Sequence, residues 1–276
     1  MQLPYLKMQG AGNQILVVDQ RADAHPPPAP DMIRKLGHGA TGPGFDQLMW
    51  VGPATGSSAV AAYRVFNRDG SEVQQCGNGV RCVARVLAGD DTTAGPMLLE
   101  GPAGPIEAIV RDDGLVAVNM GAPEFEPGRI PFVADRRQDR YELEACGRVH
   151  LVSVVSMGNP HCVLLVDSIA AADVDRLGPA IEEHPRFPEA VNVGFLCVAD
   201  RSNVELRVWE RGVGETLACG TGACAAVVSG RVLGLLDDEV AVRLPGGQLM
   251  VSWHGAAEPV WLTGNAELMS EGTIDL

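Results

Sequence analysis

Along most of this chain, apolar residues come in short bursts of five to seven, each closed off by glycine, proline or a turn-forming polar residue. QILVVD, QLMWV, AAYRVF, IEAIV and LVAVNM punctuate the first half, and VHLVSVV, CVLLVD, VGFLCVA and VELRVWE the second. Such Val-, Leu- and Ile-rich bursts predict short strands. Two stretches break the pattern: CGNGVRCVARVLAG (76–89) and CGTGACAAVVSGRVLGLL (219–236) open with glycines and run on with hardly a charge. That is the pattern of a helix buried on nearly all sides, and the mixture reads as an α+β fold in which a mostly antiparallel sheet wraps each helix. The proline- and glycine-rich stretch GAPEFEPGRIPF (121–132) reads as a domain boundary, and HPPPAP (25–30) as a surface loop.

The two halves match beyond their helices. FNRDGSEVQQCGNG (66–79) aligns without gaps on WERGVGETLACGTG (209–222) at an offset of 143 residues, setting Arg68 on Arg211, Glu72 on Glu215 and Cys76 on Cys219. Upstream, GNQILVVD from Gly12 echoes GNPHCVLLVD from Gly158, and Gln47 has a counterpart in Asn192. The same features recur in the same order at a period far too long for a solenoid, which points to two duplicated, pseudo-symmetric domains facing each other across a cleft.

The glycines after each cysteine let the backbone turn sharply and leave the first helical N–H groups open to a ligand. The positive end of the helix dipole favours a bound carboxylate and favours thiolate over thiol. If both helix starts hold one carboxylate, its α carbon lies between two sulfurs. One can then remove the α proton while the other delivers a proton to the opposite face, inverting the centre, and the clustered amides stabilise the charge that develops on the carboxylate.

Composition narrows the partners. A chain of 276 residues with 46% hydrophobic content supplies a substantial core, and a formal net charge of −14 argues against nucleic acid and anionic membranes, leaving small molecules. The N-terminal MQLPYLKMQG lacks the regions of a signal peptide and no apolar run approaches the length of a membrane span, so a cytoplasmic protein is expected. Seven cysteines, an odd number without small-scaffold spacing, fit reduced thiols. With only Lys7 and Lys35, few residues could hold a pyridoxal group.

Other readings of the cysteines stand beside this one. The pairs Cys76/Cys82 and Cys219/Cys224 are separated by five and four residues and their second members fall inside the helices, a poor match to a zinc knuckle, so no metal is expected. Cys82, Cys146, Cys162, Cys197 and Cys224 sit among apolar neighbours and read as small core residues. A Cys219–His161 nucleophile pair would give acyl transfer but leaves Cys76 without a role. A non-catalytic carboxylate-binding protein would explain the glycines but not both thiols. His38, His150 and His254 read as structural.

The stretches FNRDGSEVQQCGNGVRC (66–82), MGNPH (157–161) and ERGVGETLACGTGAC (210–224), in a match that runs along essentially the whole chain, resemble diaminopimelate epimerase, a cofactor-independent two-cysteine family. The resemblance implies conversion of LL-2,6-diaminopimelate to the meso form, with Cys76 and Cys219 as the catalytic pair. It implies two domains, 1–122 with a returning C-terminal strand at 265–276, and 123–264, and a homodimer is an assembly open to the chain. The family's ligand contacts fall on Asn13, Gln47, Asn67, Gly77, Asn78, Asn159, Asn192, Glu210, Arg211, Gly220 and Thr221, with His161 and Glu210 also tuning thiol ionisation. Arg211 suits a bidentate grip on the distal carboxylate and Glu210 the distal ammonium. Adjacent strand residues point to opposite faces, so both reach one ligand only through a bend, for which Gly212 and Gly214 provide. The family's Gly-x-Gly-Asn-Asp-Phe is here GAGNQI, so Gln14 and Ile15 stand where an acid and an aromatic are usual. Proline or hydroxyproline racemases share the architecture and the paired cysteines, but a histidine is expected there in place of Asn78. Isomerases of the phenazine-biosynthesis type lack the two cysteines.

Overall fold

The computed structural model describes every residue except 57, 75, 90–94, 256 and 257, so Gln75 of the first cysteine stretch lies outside the described residues. The chain divides into two compact units, Met1–Asn119 with Thr263–Leu276, and Met120–Leu262. The first is built from β1 (Gln2–Gly10), β2 (Asn13–Asp19), α1 (Pro30–Gly37), β3 (Gln47–Gly52), β4 (Ala61–Asn67), β5 (Glu72–Val73), α2 (Gly77–Ala88), β6 (Met97–Gly101), β7 (Gly104–Val110) and β8 (Val116–Asn119). The second holds β9 (Tyr141–Ala145), β10 (Arg148–Ser156), β11 (Pro160–Leu165), α3 (Val174–Glu182), β12 (Asn192–Val198), β13 (Asn203–Glu210), β14 (Gly214–Thr216), α4 (Gly220–Val232), β15 (Glu239–Leu244) and β16 (Gly247–Ser252). After β17 (Trp261–Gly264), the last strand, β18 (Glu267–Asp275), belongs to the first unit.

Strand pairing repeats step for step. β1–β2, β3–β4, β4–β5 and β6–β7 are antiparallel, while β2–β3 and β4–β6 are parallel. In the second unit β10–β11, β12–β13, β13–β14 and β15–β16 are antiparallel, while β11–β12 and β13–β15 are parallel. Even the outer neighbour recurs: β9 pairs antiparallel with β10, and β18 occupies the equivalent place beside β1. A bidentate ion pair is duplicated as well. Arg64 grips Glu72 through Nε and Nη2 at 2.7 Å each, and Arg207, 143 residues on, grips Glu215 at 2.6 and 2.7 Å. Each pair ties together the hairpin that leads into a cysteine.

The long helices fill the two sheets. α2 packs against β1, β2, β3, β7 and β8, and α4 against β10, β11, β12, β13, β15 and β16. From Gly222 to Gly230, every residue of α4 is buried. The smaller helices cover the other face: Ile33 and Leu36 of α1 join Leu16, Val18, Leu48 and Trp50, while Val174 and Ile181 of α3 join Val191, Val193 and Phe195. Covered on both sides, β2 and β12 carry apolar runs without alternation, as parallel-paired central strands do.

Neither α1 nor α3 is signalled by the sequence pattern. α1 begins at Pro30, the last residue of the expected loop, with the proline in the first turn where its missing N–H costs nothing. α3 carries Gly178 and Pro179, which read locally as punctuation. Two cysteines also depart from expectation. Cys82, Cys162 and Cys224 are buried, but Cys146 sits in the β9–β10 turn at φ +52 and Cys197 near the end of β12, both partly exposed. Among the described residues, no helix is long and apolar enough to cross a membrane.

Gly178 is where α3 meets the sheet: a Cβ there would lie 2.6 Å from Cγ and 2.9 Å from Cβ of Trp209. The contact is to the root of a strand side chain, which cannot swing aside. Gly178→Ala gains about 1 kcal/mol of helix propensity but is expected to lose more through overpacking, whose cost runs to about 3 kcal/mol. The melting temperature therefore falls; an unchanged or raised value would contradict this packing.

Candidate active site

Each cysteine occupies the N-cap position of its unit's central helix. Cys76 has extended backbone angles (φ −147°, ψ 101°), and its sulfur accepts from the Gly79 N–H at 3.2 Å, the bond a capping serine oxygen would make. Gly79 is required for close approach, since a Cβ would run into the Met49 sulfur. The Gly77 and Asn78 amides sit in the first turn, whose N–H groups have no intrahelical acceptor.

The Cys76 thiol donates to Gln47 Oε1 at 2.5 Å. Gln47 Nε2 donates to Asn67 Oδ1 at 3.1 Å, Asn67 Nδ2 to Ser71 Oγ at 3.1 Å, and Ser71 Oγ to Asp69 Oδ1 at 2.6 Å. These bonds run in one direction from thiol to carboxylate, so each polarises the next. Register explains the meeting: Gln47 of β3 lies directly opposite Asn67 of β4 and beside Ile15 of β2. Asn13, at the start of β2, donates Nδ2 to Gln47 Oε1 at 3.5 Å, and its own Oδ1 is buried with no hydrogen-bond partner among the described residues. A buried acceptor left open suits a ligand donor such as an ammonium group. The departure from the family pattern leaves Asn13 in place: Ile15 is fully buried and the Gln14 N–H is held by Asp46 Oδ2.

Asn78 is 4% exposed, and its Oδ1 accepts from Nη2 of Arg81 at 2.7 Å. Arg81 is itself fully buried and also donates through Nε to the Asn265 carbonyl. Sequence reasoning passed over Arg81, although a charge in the first turns of a largely apolar helix, three residues after Asn78, was a usable signal.

In the second unit Cys219 caps α4 (φ −125°, ψ 114°) and is 5% exposed. Burial pushes its pKa well up, the Glu210 carboxylate pushes it further, and the Thr221 hydroxyl and Gly222 amide pull against them. Glu210 occupies the position that Asn67 holds in the first unit, and its Oε1 accepts from Thr216 Oγ1 at 2.6 Å. The surroundings of the two thiols therefore differ: the Gln47 carboxamide meets Cys76, whereas the Glu210 carboxylate lies beside Cys219.

His161 reaches Cys219 only through intermediaries. Its Nε2 meets Asn159 Oδ1 at 3.0 Å, Asn159 Nδ2 donates to Thr221 Oγ1 at 3.3 Å, and Thr221 Oγ1 lies 3.5 Å from the Cys219 sulfur. This pattern puts the imidazole proton on Nε2 and leaves Nδ1 as a buried acceptor without a partner among the described residues. Complete burial, with a further push from Arg211, lowers the His161 pKa to about 3. The histidine expected to tune the thiol is thus neutral throughout the physiological range.

The expected bend after Glu210 is present. β13 ends at Glu210, a turn follows with Gly212 at φ +72 and Gly214 at φ +101, and Gly214 pairs back on Glu210. Arg211 stands in this turn, exposed, with Nη1 on the Glu189 carbonyl at 2.8 Å and no ion pair to a carboxylate among the described residues. Asn192 fixes the turn from below: Oδ1 accepts the Arg211 N–H at 3.0 Å and Nδ2 donates to the Pro160 carbonyl at 2.9 Å. Of its hydrogen-bonding groups, one amide hydrogen is left for a ligand. Gly220 and Thr221 present the first-turn amides of α4 as Gly77 and Asn78 do in α2.

Known proteins match this chain along its length. The family model described as diaminopimelate epimerase matches residues 5–126 and 153–269. Proteins named diaminopimelate epimerase from Alkalilimnicola ehrlichii (50% identical over 282 residues), Thioalkalivibrio sulfidiphilus (50% over 281) and Nitrosomonas europaea (49% over 277) match over 100% of both chains. Among solved structures, a predicted epimerase from Pseudomonas aeruginosa has a TM-score of 0.69 at 18% identity, covering 99% of each chain. A hydroxyproline epimerase from Agrobacterium vitis scores 0.68 at 18% identity, covering 99% of this chain and 92% of its own, and a Bacillus anthracis phenazine biosynthesis protein scores 0.68 at 16%, covering 100% of both. At such identities these structures speak for the fold, two duplicated sheet-and-helix domains. Full-length identity near one half, with the family model matched through both cysteine stretches, establishes that this chain belongs to the diaminopimelate epimerase family.

Proposed function

We propose that the protein interconverts LL- and meso-2,6-diaminopimelate without a cofactor, using Cys76 and Cys219 as its acid and base. One observation carries the reading: each duplicated unit of a chain from this family seats one cysteine as the cap of a buried, glycine-led helix. The thiolate of one removes the α proton, the thiol of the other gives its proton to the opposite face, and the two then exchange protons with solvent to reset. The first-turn amides of Gly77, Asn78, Gly220 and Thr221 hold the reacting carboxylate, where charge accumulates as the carbanion forms. Asn13 Oδ1 accepts from an ammonium group. Arg211 takes the distal carboxylate as a bidentate pair and Glu210 assists the distal ammonium and the Cys219 proton. Gln47, Asn67, Asn159 and Asn192 fix the orientation of these groups and add single contacts.

The enzyme is further proposed to work in the cytoplasm as a homodimer. Cys82, Cys146, Cys162, Cys197 and Cys219 are free thiols, which fits a reducing compartment. Leu268 and Met269, both more than half exposed on β18, supply apolar surface that self-association would cover.

In deuterated water, the protein alone is expected to place solvent deuterium at one α carbon of diaminopimelate, and Cys76→Ala and Cys219→Ala are each expected to lose epimerase turnover by at least about a thousandfold, the scale of a lost catalytic acid or base. Exchange with proline but not with diaminopimelate, or ordinary turnover in either variant, would overturn the assignment.

Because the Glu210 carboxylate raises the Cys219 pKa, removing that charge must lower it. Peptide mass spectrometry of iodoacetamide labelling in a Cys76→Ala background is expected to place the pH inflection for Cys219 lower in Glu210→Gln than with Glu210 intact. An inflection that stays put, or rises, would show that the carboxylate does not act on the thiol.

His161 gives a stability signature. Unfolded histidine titrates near pH 6.5, whereas the folded group titrates at about 3, so between those values the unfolded chain binds the extra proton. Stability contributed by neutral His161 is present above about pH 6.5 and is lost as pH falls toward 3, with a slope approaching about 1.4 kcal/mol per unit. Urea unfolding from pH 7 to 4 should show a shallower fall in His161→Gln, which keeps a donor for Asn159. Equal slopes in the two proteins would refute the burial argument.

A further inference from the structure

We propose that Glu182, at the end of α3, is a positioning residue that fixes the Glu210–Gly214 turn and thereby the aim of Arg211, and so sets affinity for a substrate with a distal carboxylate. The proposal rests on the reading that Arg211 grips that carboxylate. Glu182 lies remote in sequence from the cysteine stretches, and nothing in its local pattern marks it.

The geometry is specific. Glu182 Oε2 accepts the indole N–H of Trp209 and Oε1 accepts the main-chain N–H of Gly212, both at 2.6 Å. One carboxylate thus spans the turn, held on one side by the last strand residue before Glu210 and on the other by the glycine just after Arg211. Gly212 is in the left-handed region at φ +72, and the turn closes with Val213 N–H on the Glu210 carbonyl at 3.0 Å. The 182–192 segment contributes two further clamps already described, Asn192 on the Arg211 N–H and the Glu189 carbonyl on its guanidinium. Asn192 spends its second bond on the Pro160 carbonyl, whereas both bonds of Glu182 go to the turn and the strand residue before it, and both are assisted by its charge.

The position is otherwise a poor one for a carboxylate. Glu182 is the final residue of α3, at the negative end of the helix dipole, and no basic residue shares that last turn. Its charge is accounted for by the two N–H groups it receives. Gly178, one turn earlier on the same helix, lets α3 lie close enough on the Trp209 indole for the carboxylate to reach both donors. The side chain is partly buried, so water competes weakly for its oxygens.

A glutamine at 182 keeps the length and shape but offers one acceptor oxygen, and its NH2 then faces one of the two N–H donors. Glu182→Gln is expected to raise KM for diaminopimelate by about tenfold, the scale of one lost charge-assisted bond, with kcat changed less than about twofold. Arg211→Met should raise KM by more, and adding Glu182→Gln to it should change KM no further. Trp209→Phe, which deletes one of the two donors, should raise KM in the same direction and serves if Glu182→Gln does not fold. Normal KM in Glu182→Gln alongside a raised KM in Arg211→Met, or full multiplication of the two effects in the double variant, would overturn the role of Glu182 alone. Normal KM in Arg211→Met would overturn the reading of Arg211 and the proposal with it.

Discussion

A thiol capping a buried helix is the constraint around which the rest of each unit is arranged. The helix must be apolar to sit inside the sheet, so its unpaired N–H groups and dipole are the strongest polar feature at that end. A sulfur placed there is polarised by the amides and shielded from water by the same burial. The two influences oppose one another for ionisation, and neighbouring side chains decide the balance.

Those neighbours break the symmetry of the duplication. The frame is repeated down to strand direction and to the Arg64–Glu72 and Arg207–Glu215 pairs, yet Asn67 in one unit is Glu210 in the other. Cys76 donates into a chain of carboxamides, while Cys219 lies beside a carboxylate that raises its pKa. In the proposed reaction the duplication supplies one thiol for each face of a carbon, while the groups around the two thiols have diverged.

Packing and chemistry meet again in the second unit, where α3 covers the outer face of the sheet and its end shapes the turn that presents Arg211. Gly178 sets the distance, Trp209 fills the contact, and Glu182 accepts from the strand and from the turn. The same segment buries apolar surface through Val174 and Ile181 and directs a charged side chain. Core packing and the geometry of the Arg211 turn are therefore not separable here.

The sequence by itself determined the strand-rich fold class, the two buried helices, the duplication and the cysteine pair, because hydrophobic period, glycine placement and an ungapped repeat are local or self-referential signals. It also indicated the bend at Gly212 and Gly214, since adjacent strand residues cannot share a face. Only the tertiary structure decided which groups touch the sulfurs. His161 reaches Cys219 through Asn159 and Thr221, Asn192 spends most of its hydrogen bonds on the protein, Arg81 donates to Asn78, and Glu182 accepts from Gly212 beside Arg211. It also turned a proline-led loop end into α1 and a Gly-Pro stretch into α3, and left Cys146 and Cys197 partly exposed. Those outcomes depend on contacts between residues far apart in the chain, and local composition carries no record of such contacts.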